Sequence, residues 1–402
     1  MPDTRRSILR LAAITSMSTP WTLGGLGRTA AFAAPAPPTD PAAPVAVPGP
    51  RSDLYGTLVA GNAAGLYLGV WGDSPYSSVG GVWRRGQVTF LEGSQQPVAV
   101  NAAGVVIGDA VSHYDRRAFR WSAGHYQALD LLGGTDEQGG RRSSALAVNP
   151  DGVIVGWSTT DDRTIRAVRW RGTRAVDLGT LGGPASSATA VNAVGQIVGS
   201  ADTGDGQSHA VVWTDGRIRD LGTLGGPTSV AVAINEAGDI VGASDTPDGA
   251  RRAVLWRRGR AVDLGTLPGL HSSAAVTINS TGQVLVSASG ATSGAFLWRS
   301  GRQTPIEDGR DDATGAADAA SSVEVSGLND HGVVCGDISA TDRQNGQEIQ
   351  AFRWRSGRLR RLPSAGGVFS HAQAITPAGI VLGTSATAQT TAPQAVWWPS
   401  IP

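Results

Sequence analysis

The sequence predicts an all-β fold, a β-propeller of about eight four-stranded blades whose ring is closed by the N-terminal segment. Three observations lead there. The heptapeptide "DLGTLGG" stands at 177–183 and 220–226 and, as "DLGTLPG", at 263–269, a step of 43 residues each time. An Asn-x-x-Gly tetrapeptide starts at Asn62, Asn101, Asn149, Asn192, Asn235, Asn279 and Asn329, and Thr376-x-x-Gly379 is its eighth copy. Eight tryptophans alternate with those turns: Trp83, Trp121, Trp170, Trp213, Trp256, Trp298, Trp354 and Trp398. Short strands and turns at this period, with no helical pattern, are the signature of propeller blades. A seven-bladed ring is the alternative, should the divergent first unit fail to form a full blade.

The chain opens with an address. Arg5-Arg6 in "TRRSILR" precede a modestly apolar stretch, and Ala31-Phe32-Ala33 is a small-x-small cleavage site. The segment resembles a twin-arginine export signal, with Ile8 where that motif favours Phe and Arg10 where it favours Lys. Residues 1–33 are therefore expected to be a signal peptide. The Pro/Ala-rich residues 34–50 are expected to form a linker, and 51–402 the propeller. The mature protein is expected outside the bacterial cytoplasmic membrane, secreted, with no stretch able to span a bilayer.

Within a unit, alternating small and branched residues lead into the Asn turn, and "QIVGS"-type residues lead out. Asn accepts from its own backbone and Gly takes a positive φ, which makes a tight hairpin. Trp213-x-x-Gly216 marks a second hairpin. "DLGTLGG" then ends the outer strand and crosses to the next blade, its glycines letting the chain change sheets. The tryptophan is expected to wedge between blades, because one sheet cannot bury its own faces. The last unit stops at "WWPSIP" without a fourth strand. Residues near 45–57, where "DLYGTL" echoes "DLGTL", are expected to supply it and remove the sheet edges.

Composition excludes more than it selects. Lys+Arg and Asp+Glu are both 33, so formal net charge is zero, and every basic residue other than histidine is arginine. A balanced chain has no long-range field to gather nucleic acid or an anionic membrane. Cys335 is the single cysteine, so no internal disulfide and no Cys-based metal site can form. It stands in "GVVCGD" where other units have Val or Ile, and is expected to be a buried strand residue. The expected oligomeric state is a monomer.

Together the heptapeptide, the Asn-x-x-Gly turn and the His-Ala-aliphatic-x-Trp strand resemble the HAF-repeat family of extracellular bacterial repeat proteins, over about 55–398. The name-giving His-Ala-Phe survives only as His209-Ala210-Val211. Other units place Arg117, Arg166, Arg252, Gly294, Gln350 or Gln394 at the histidine position. The resemblance implies secretion and a repeat fold. It implies no reaction, and no histidine ligand in every blade.

Both tight hairpins of a blade point to one face, so the longer connections gather on the other, where binding usually resides. Three candidates lie among those connections. Trp71 and Trp157, outside the repeat pattern, with Tyr76 and Tyr114, are candidates for an aromatic platform for sugars or peptides. Asp202, Asp205, Asp245 and Asp248 recur in Asp-x-x-Asp-Gly pairs and are weak candidates for Ca²⁺, the one cofactor the sequence suggests. The long crossing "IEDGRDDATGAADAASS" (306–322) is acidic and reads as a solvated insertion. Enzyme chemistry has little support. The inner strands read small and apolar, Glu324 has no evident partner, and the six histidines show no metal spacing. The expected function is a binding or scaffold module for a glycan or cell-wall polymer, or next a protein partner. The alternative is a polysaccharide hydrolase or lyase with a site in the loops.

Overall fold

The computed structural model describes residues 29–31, 43–51, 53–72, 78–91, 95–112, 115–133, 140–308, 322–342, 346–388 and 392–400. They form eight antiparallel sheets arranged in a ring, an eight-bladed propeller. Blade 4 is representative. Its strands are Gly182–Val191 (inner), Ile197–Thr203 (second), Ser208–Thr214 (third) and Arg217–Asp220 (outer), paired in chain order. The inner-to-second and third-to-outer hairpins lie at one end of the ring, the hairpin face. The second-to-third loops and the blade-to-blade crossings lie at the other, the loop face.

The Asn-x-x-Gly turn holds two blades as well as one hairpin. Asn192 Oδ1 accepts from the Gln196 amide at 2.9 Å, and Gly195 sits at φ 84° and donates to the Asn192 carbonyl. The Asn192 side-chain amide donates to the Asn235 carbonyl of the next blade at 3.3 Å. The same bond links Asn62 to Asn101 and Asn101 to Asn149, both at 2.9 Å, and Asn149 to Asn192 at 3.1 Å. It continues through Asn235, Asn279 and Asn329 to Thr376. The asparagines thus form a hydrogen-bonded chain around the axis. It stops at Thr376, whose hydroxyl accepts from the Ile380 amide of its own turn. The open junction, blade 8 to blade 1, is also where the two ends of the ring meet.

A second repeated device is the glycine before the fourth residue of the second strand. All eight inner strands carry a β-bulge at equivalent positions. The bulge pushes a carbonyl toward the second strand. A Cβ on Gly156, Gly199, Gly242 or Gly383 would sit 1.9 Å from that oxygen, so a side chain there is excluded.

The crossing is a bonded unit. In blade 4 to blade 5, the Gly222 amide (φ 71°) donates to Asp220 Oδ1 at 2.7 Å and the Gly225 amide to Thr223 Oγ1 at 3.1 Å. Ser229 Oγ, on the next inner strand, donates to the Gly222 carbonyl at 2.8 Å and accepts from the Ala210 amide at 2.9 Å. Leu221 and Leu224 pack against the cluster around Trp256. One heptapeptide therefore caps a strand, turns the chain and seals the seam between blades.

The tryptophans lie in those seams. Trp213 clusters with Val155 and Ala167 of blade 3, and Trp256 with Val198 and Ala210 of blade 4. Trp170, Trp213, Trp256, Trp298, Trp354 and Trp398 are buried, whereas Trp83 and Trp121 are half-buried. Trp83 instead stacks on Tyr67, centroids 5.0 Å apart. The crossing before Trp121 begins "LEGSQ" and offers one leucine where the heptapeptide offers two.

Val45–Val47 pairs antiparallel with Ala395–Trp397 and is the outer strand of blade 8. The propeller therefore begins inside the segment read as linker. Thr29–Ala31, within the expected signal peptide, pairs with Gln87–Thr89 and adds a fifth strand to blade 1. Cys335 is fully buried, and burial raises its thiol pKa far above the usual range. No helix among the described residues is long and apolar enough to cross a membrane.

Candidate binding face and axial cluster

Of the four proposed aromatic residues the structure describes Trp71 and Trp157. Trp71 is 1 % exposed. A Cβ on Gly49, Gly56, Gly69 or Gly81 would come within 2.8 Å of its indole, which meets Phe90 edge-on at 5.6 Å. It wedges the closing seam, in a cluster with Val47, Leu382 and Ala395, and is not a ligand platform. The sequence placed it on the surface because it breaks the repeat; it breaks the repeat because four glycines make room for it. Trp157 is half-buried on the second strand of blade 3, in register with Ser144 and Ala167. Tyr76 and Tyr114 lie outside the described residues.

The Asp-x-x-Asp-Gly loops are self-bonded turns. Thr203 Oγ1 donates to Asp205, and Thr246 Oγ1 to Asp248. These hydroxyls hold both carboxyls below the usual carboxylate range. Asp202 accepts from the Ala185 amide at 3.2 Å, and burial raises its pKa. Asp245 pairs with Arg251 at 2.9 Å and accepts from Thr228 Oγ1. Asp205 and Asp248 face their own turns, whereas Asp202 and Asp245 bond back to the residues that open their blade's inner strand. Among the described residues no three His, Cys, Asp or Glu side chains form a metal cage. Of the acidic crossing only residues 306–308 and 322 are described; there Asp308 is gripped by both nitrogens of the Arg361 fork, at 2.5 and 3.2 Å. His209 Nδ1 lies 2.8 Å from Asp220 Oδ2, and Arg166 occupies the same place against Asp177 at 3.9 Å. His209 is here a partner of the crossing aspartate, a role that Arg166 fills in blade 3.

Ionisable groups do converge at the axis. Glu324 on the inner strand of blade 7 lies directly opposite Asp337 on the second strand. From blade 8, His371 places Nδ1 against Asp337 Oδ2, and the Ala372 amide donates to Asp337 Oδ1 at 2.8 Å. Glu324 and His371 hold equivalent positions on successive inner strands, one residue before the bulge shift begins. The Asp337 side chain is 6 % exposed and that of His371 35 %, and Glu324 is exposed. Two opposed carboxylates repel. An imidazolium beside them relieves that repulsion, and the Asp337 hydrogen bond holds the His371 pKa above its ordinary value, against burial. Thr384, on the second strand of blade 8, donates to the Gly56 carbonyl of blade 1 at 2.7 Å. Tyr55 bonds to Thr384 and feels the Asp337 charge, and burial raises its phenol pKa.

Blades 2 and 3 carry a smaller version. Asp109 occupies the position of Asp337, accepts from Ser144 Oγ at 2.7 Å and from the Ala145 amide at 3.1 Å, and burial raises its pKa. Glu324 thus lies in register with Asp337 and acts on the His371 charge, a neighbourhood the sequence did not supply. The signal was present: Asp109 and Asp337 both follow the repeated second-strand glycine, where other units place neutral residues.

Comparison with known proteins gives the fold and little more. No protein-family model matches the chain, and no curated protein matches it in sequence. Among solved structures, a Mycobacterium tuberculosis puromycin-hydrolyzing peptidase superposes with a TM-score of 0.51 at 13 % identity, over 87 % of this chain and 61 % of that one. The β-propeller domain of the Trilobed protease from Pyrococcus furiosus gives 0.46 at 9 % identity, over 87 % and 96 %. A Pyrococcus horikoshii acylaminoacyl peptidase gives 0.47 at 13 % identity, over 78 % and 53 %. The likeness is one of fold alone. This chain spans less than two thirds of either whole peptidase.

Proposed function

We propose that the protein is an exported binding module whose loop face and axial cluster recognise a glycan or cell-wall polymer, with a protein partner as the next choice. The reading rests on the Glu324–Asp337–His371 cluster. The repeated Asn, Ser, Gly and Trp positions bond and pack within the ring, whereas this trio is found once among the described residues, with Glu324 exposed and His371 partly so beside a buried Asp337. Carboxylates accept from vicinal sugar hydroxyls and a histidine N–H donates to a ring or hydroxyl oxygen, so the set suits a polyol. Export is supported by the twin-arginine-like N-terminus, and the HAF-type repeats point the same way.

The opposed carboxylates also favour a second reading, hydrolysis or lysis of a polysaccharide, since such reactions use carboxyl pairs. Co-sedimentation separates the two. The chain from Ala34 onward is mixed with cell wall and insoluble polysaccharides, with and without EDTA, and the supernatant is assayed for sugar. Saturable pelleting without release, weakened at least tenfold by Glu324→Gln, is the expected result. Release abolished by Glu324→Gln would favour the enzyme. Absence of both would sink the glycan reading and turn the search to a protein. Loss of pelleting in EDTA would promote Asp202, Asp205, Asp245 and Asp248.

A further inference from the structure

The third-to-outer hairpins read, from the tryptophan onward, "WRRGQ", "WSAGH", "WRGTR", "WTDGR", "WRRGR", "WRSGR" and "WRSGR" in blades 1 to 7. They hold twelve of the chain's 33 arginines and one acid, Asp215. Zero net charge therefore conceals a strongly basic rim on the hairpin face.

The rim is costly to the fold. Arg171 lies opposite Arg174, Arg257 opposite Arg260, Arg299 opposite Arg302, and Arg355 opposite Arg358. Like charges directly opposed across a ladder destabilise it. The turn itself does not require them, since Ser122 faces His125 in blade 2 and Thr214 faces Arg217 in blade 4. Of the eight opposed arginines, Arg257 is neutralised by Asp239, at 2.6 and 2.8 Å. The other seven make no ion pair among the described residues and are exposed. A repeated unfavourable pairing at exposed positions points to an external anion.

We propose that this rim, from blade 3 to blade 7, docks an acidic polysaccharide, a linear polymer bearing carboxylate or sulfate groups. Guanidinium forks match both groups bidentately. A charge repeated once per blade suits a ligand with a repeated charge. A groove of about 690 Å³ between blades 4 and 5 is of mixed charge, lined by Arg219, Arg257 and Arg258 and by Asp220, Glu236 and Asp239; Arg217 and Arg219 line the neighbouring one beside Asp215. The geometry disfavours a flat anionic membrane. Nearer the axis the same face carries Asp151, Glu236, Asp239 and Asp330, which a planar surface would meet together, whereas a polymer following the rim would meet Glu236 and Asp239 alone, at the groove of blades 4 and 5. The choice of polysaccharide over nucleic acid rests on the export reading; the rim itself does not depend on the loop-face site.

The test passes the chain from Ala34 onward over immobilised heparin, polygalacturonate and neutral dextran in a salt gradient. Retention on either acidic column, and none on dextran, is expected. The triple variant R217E/R260E/R302E is expected to lose that retention, with affinity at least tenfold weaker, and the neutral R217Q/R260Q/R302Q to lose it in part. Both are expected to melt no lower than the parent, because opposed charges are relieved at Arg260 and Arg302 and Arg217 is an exposed residue facing Thr214. Glu324→Gln is expected to be retained like the parent, so the two surfaces fail separately. Full retention of the charge-reversed triple, passage of the parent through both acidic columns at low salt, tighter binding to duplex DNA, or binding to anionic vesicles alone would each overturn the proposal.

Discussion

At the residue scale, the same side chain type does two jobs, and only one is local. Asn192 closes its hairpin through Oδ1 and fastens the next blade through its amide nitrogen. Thr376 keeps the first role and lacks the second, having no amide. Thr376→Asn is therefore expected to extend the chain of bonds to the Asn62 carbonyl and to stabilise the protein by about 0.5–1.5 kcal/mol, the net worth of one hydrogen bond. Thermal or urea unfolding measures it; a loss of stability would show that the closing seam lacks room for the amide. His371 supports a second expectation, in pH. Its pKa is raised in the folded state, so its contribution is fully present below the unfolded value of about 6.5 and is lost as pH rises through the folded value. Wild type is thus expected to lose stability relative to His371→Gln as pH climbs from about 6 upward. Parallel melting curves for the two proteins across that range would remove His371 from the axial cluster's electrostatics.

At the element scale, the blade seam carries the stability. Trp213 is 2 % exposed and sits among Val155, Ala167 and Ala188, with Leu178 and Leu181 of the crossing beside it. Truncating a buried aromatic removes its transfer energy and leaves a cavity, so Trp213→Ala is expected to cost about 3–5 kcal/mol. An unchanged unfolding midpoint would mean the seam does not depend on it. The seams also show what sequence can convey. Hairpins, crossings and blade number are local and repeated, and each is spelled out in one stretch of letters. The Asn-to-Asn bonds join residues 39 to 50 apart and use a donor the turn does not need, so the turn alone was legible. Trp71 misled for the converse reason: its pocket is made by glycines, which leave no trace of what they accommodate. The axial cluster draws on residues 324, 337 and 371 of two blades, none of them repeated, and register alone brings them together.

At the scale of the whole molecule, the ring must be shut by a strand from the wrong end of the chain. Val47 is fully buried and Val45 nearly so, both in a strand of three residues. Without that strand, Gln394–Trp398 becomes an open edge beside the one junction the asparagine bonds do not cross. Two weaknesses then coincide at blades 8 and 1, where the repeated asparagine bond is missing. Thr384 to the Gly56 carbonyl and the Trp71 wedge remain, and both depend on the blades staying in contact. A chain beginning at Arg51 is therefore compared with one beginning at Ala34. Exposing two valines costs about 3–5 kcal/mol, and the shorter chain is expected to unfold that much more easily. An unpaired edge also invites pairing between molecules, so it is expected to associate with rising concentration while the longer chain stays monomeric by light scattering. Equal melting and equal mass would show that blades 8 and 1 hold without the strand, and would assign closure to the Trp71 wedge instead.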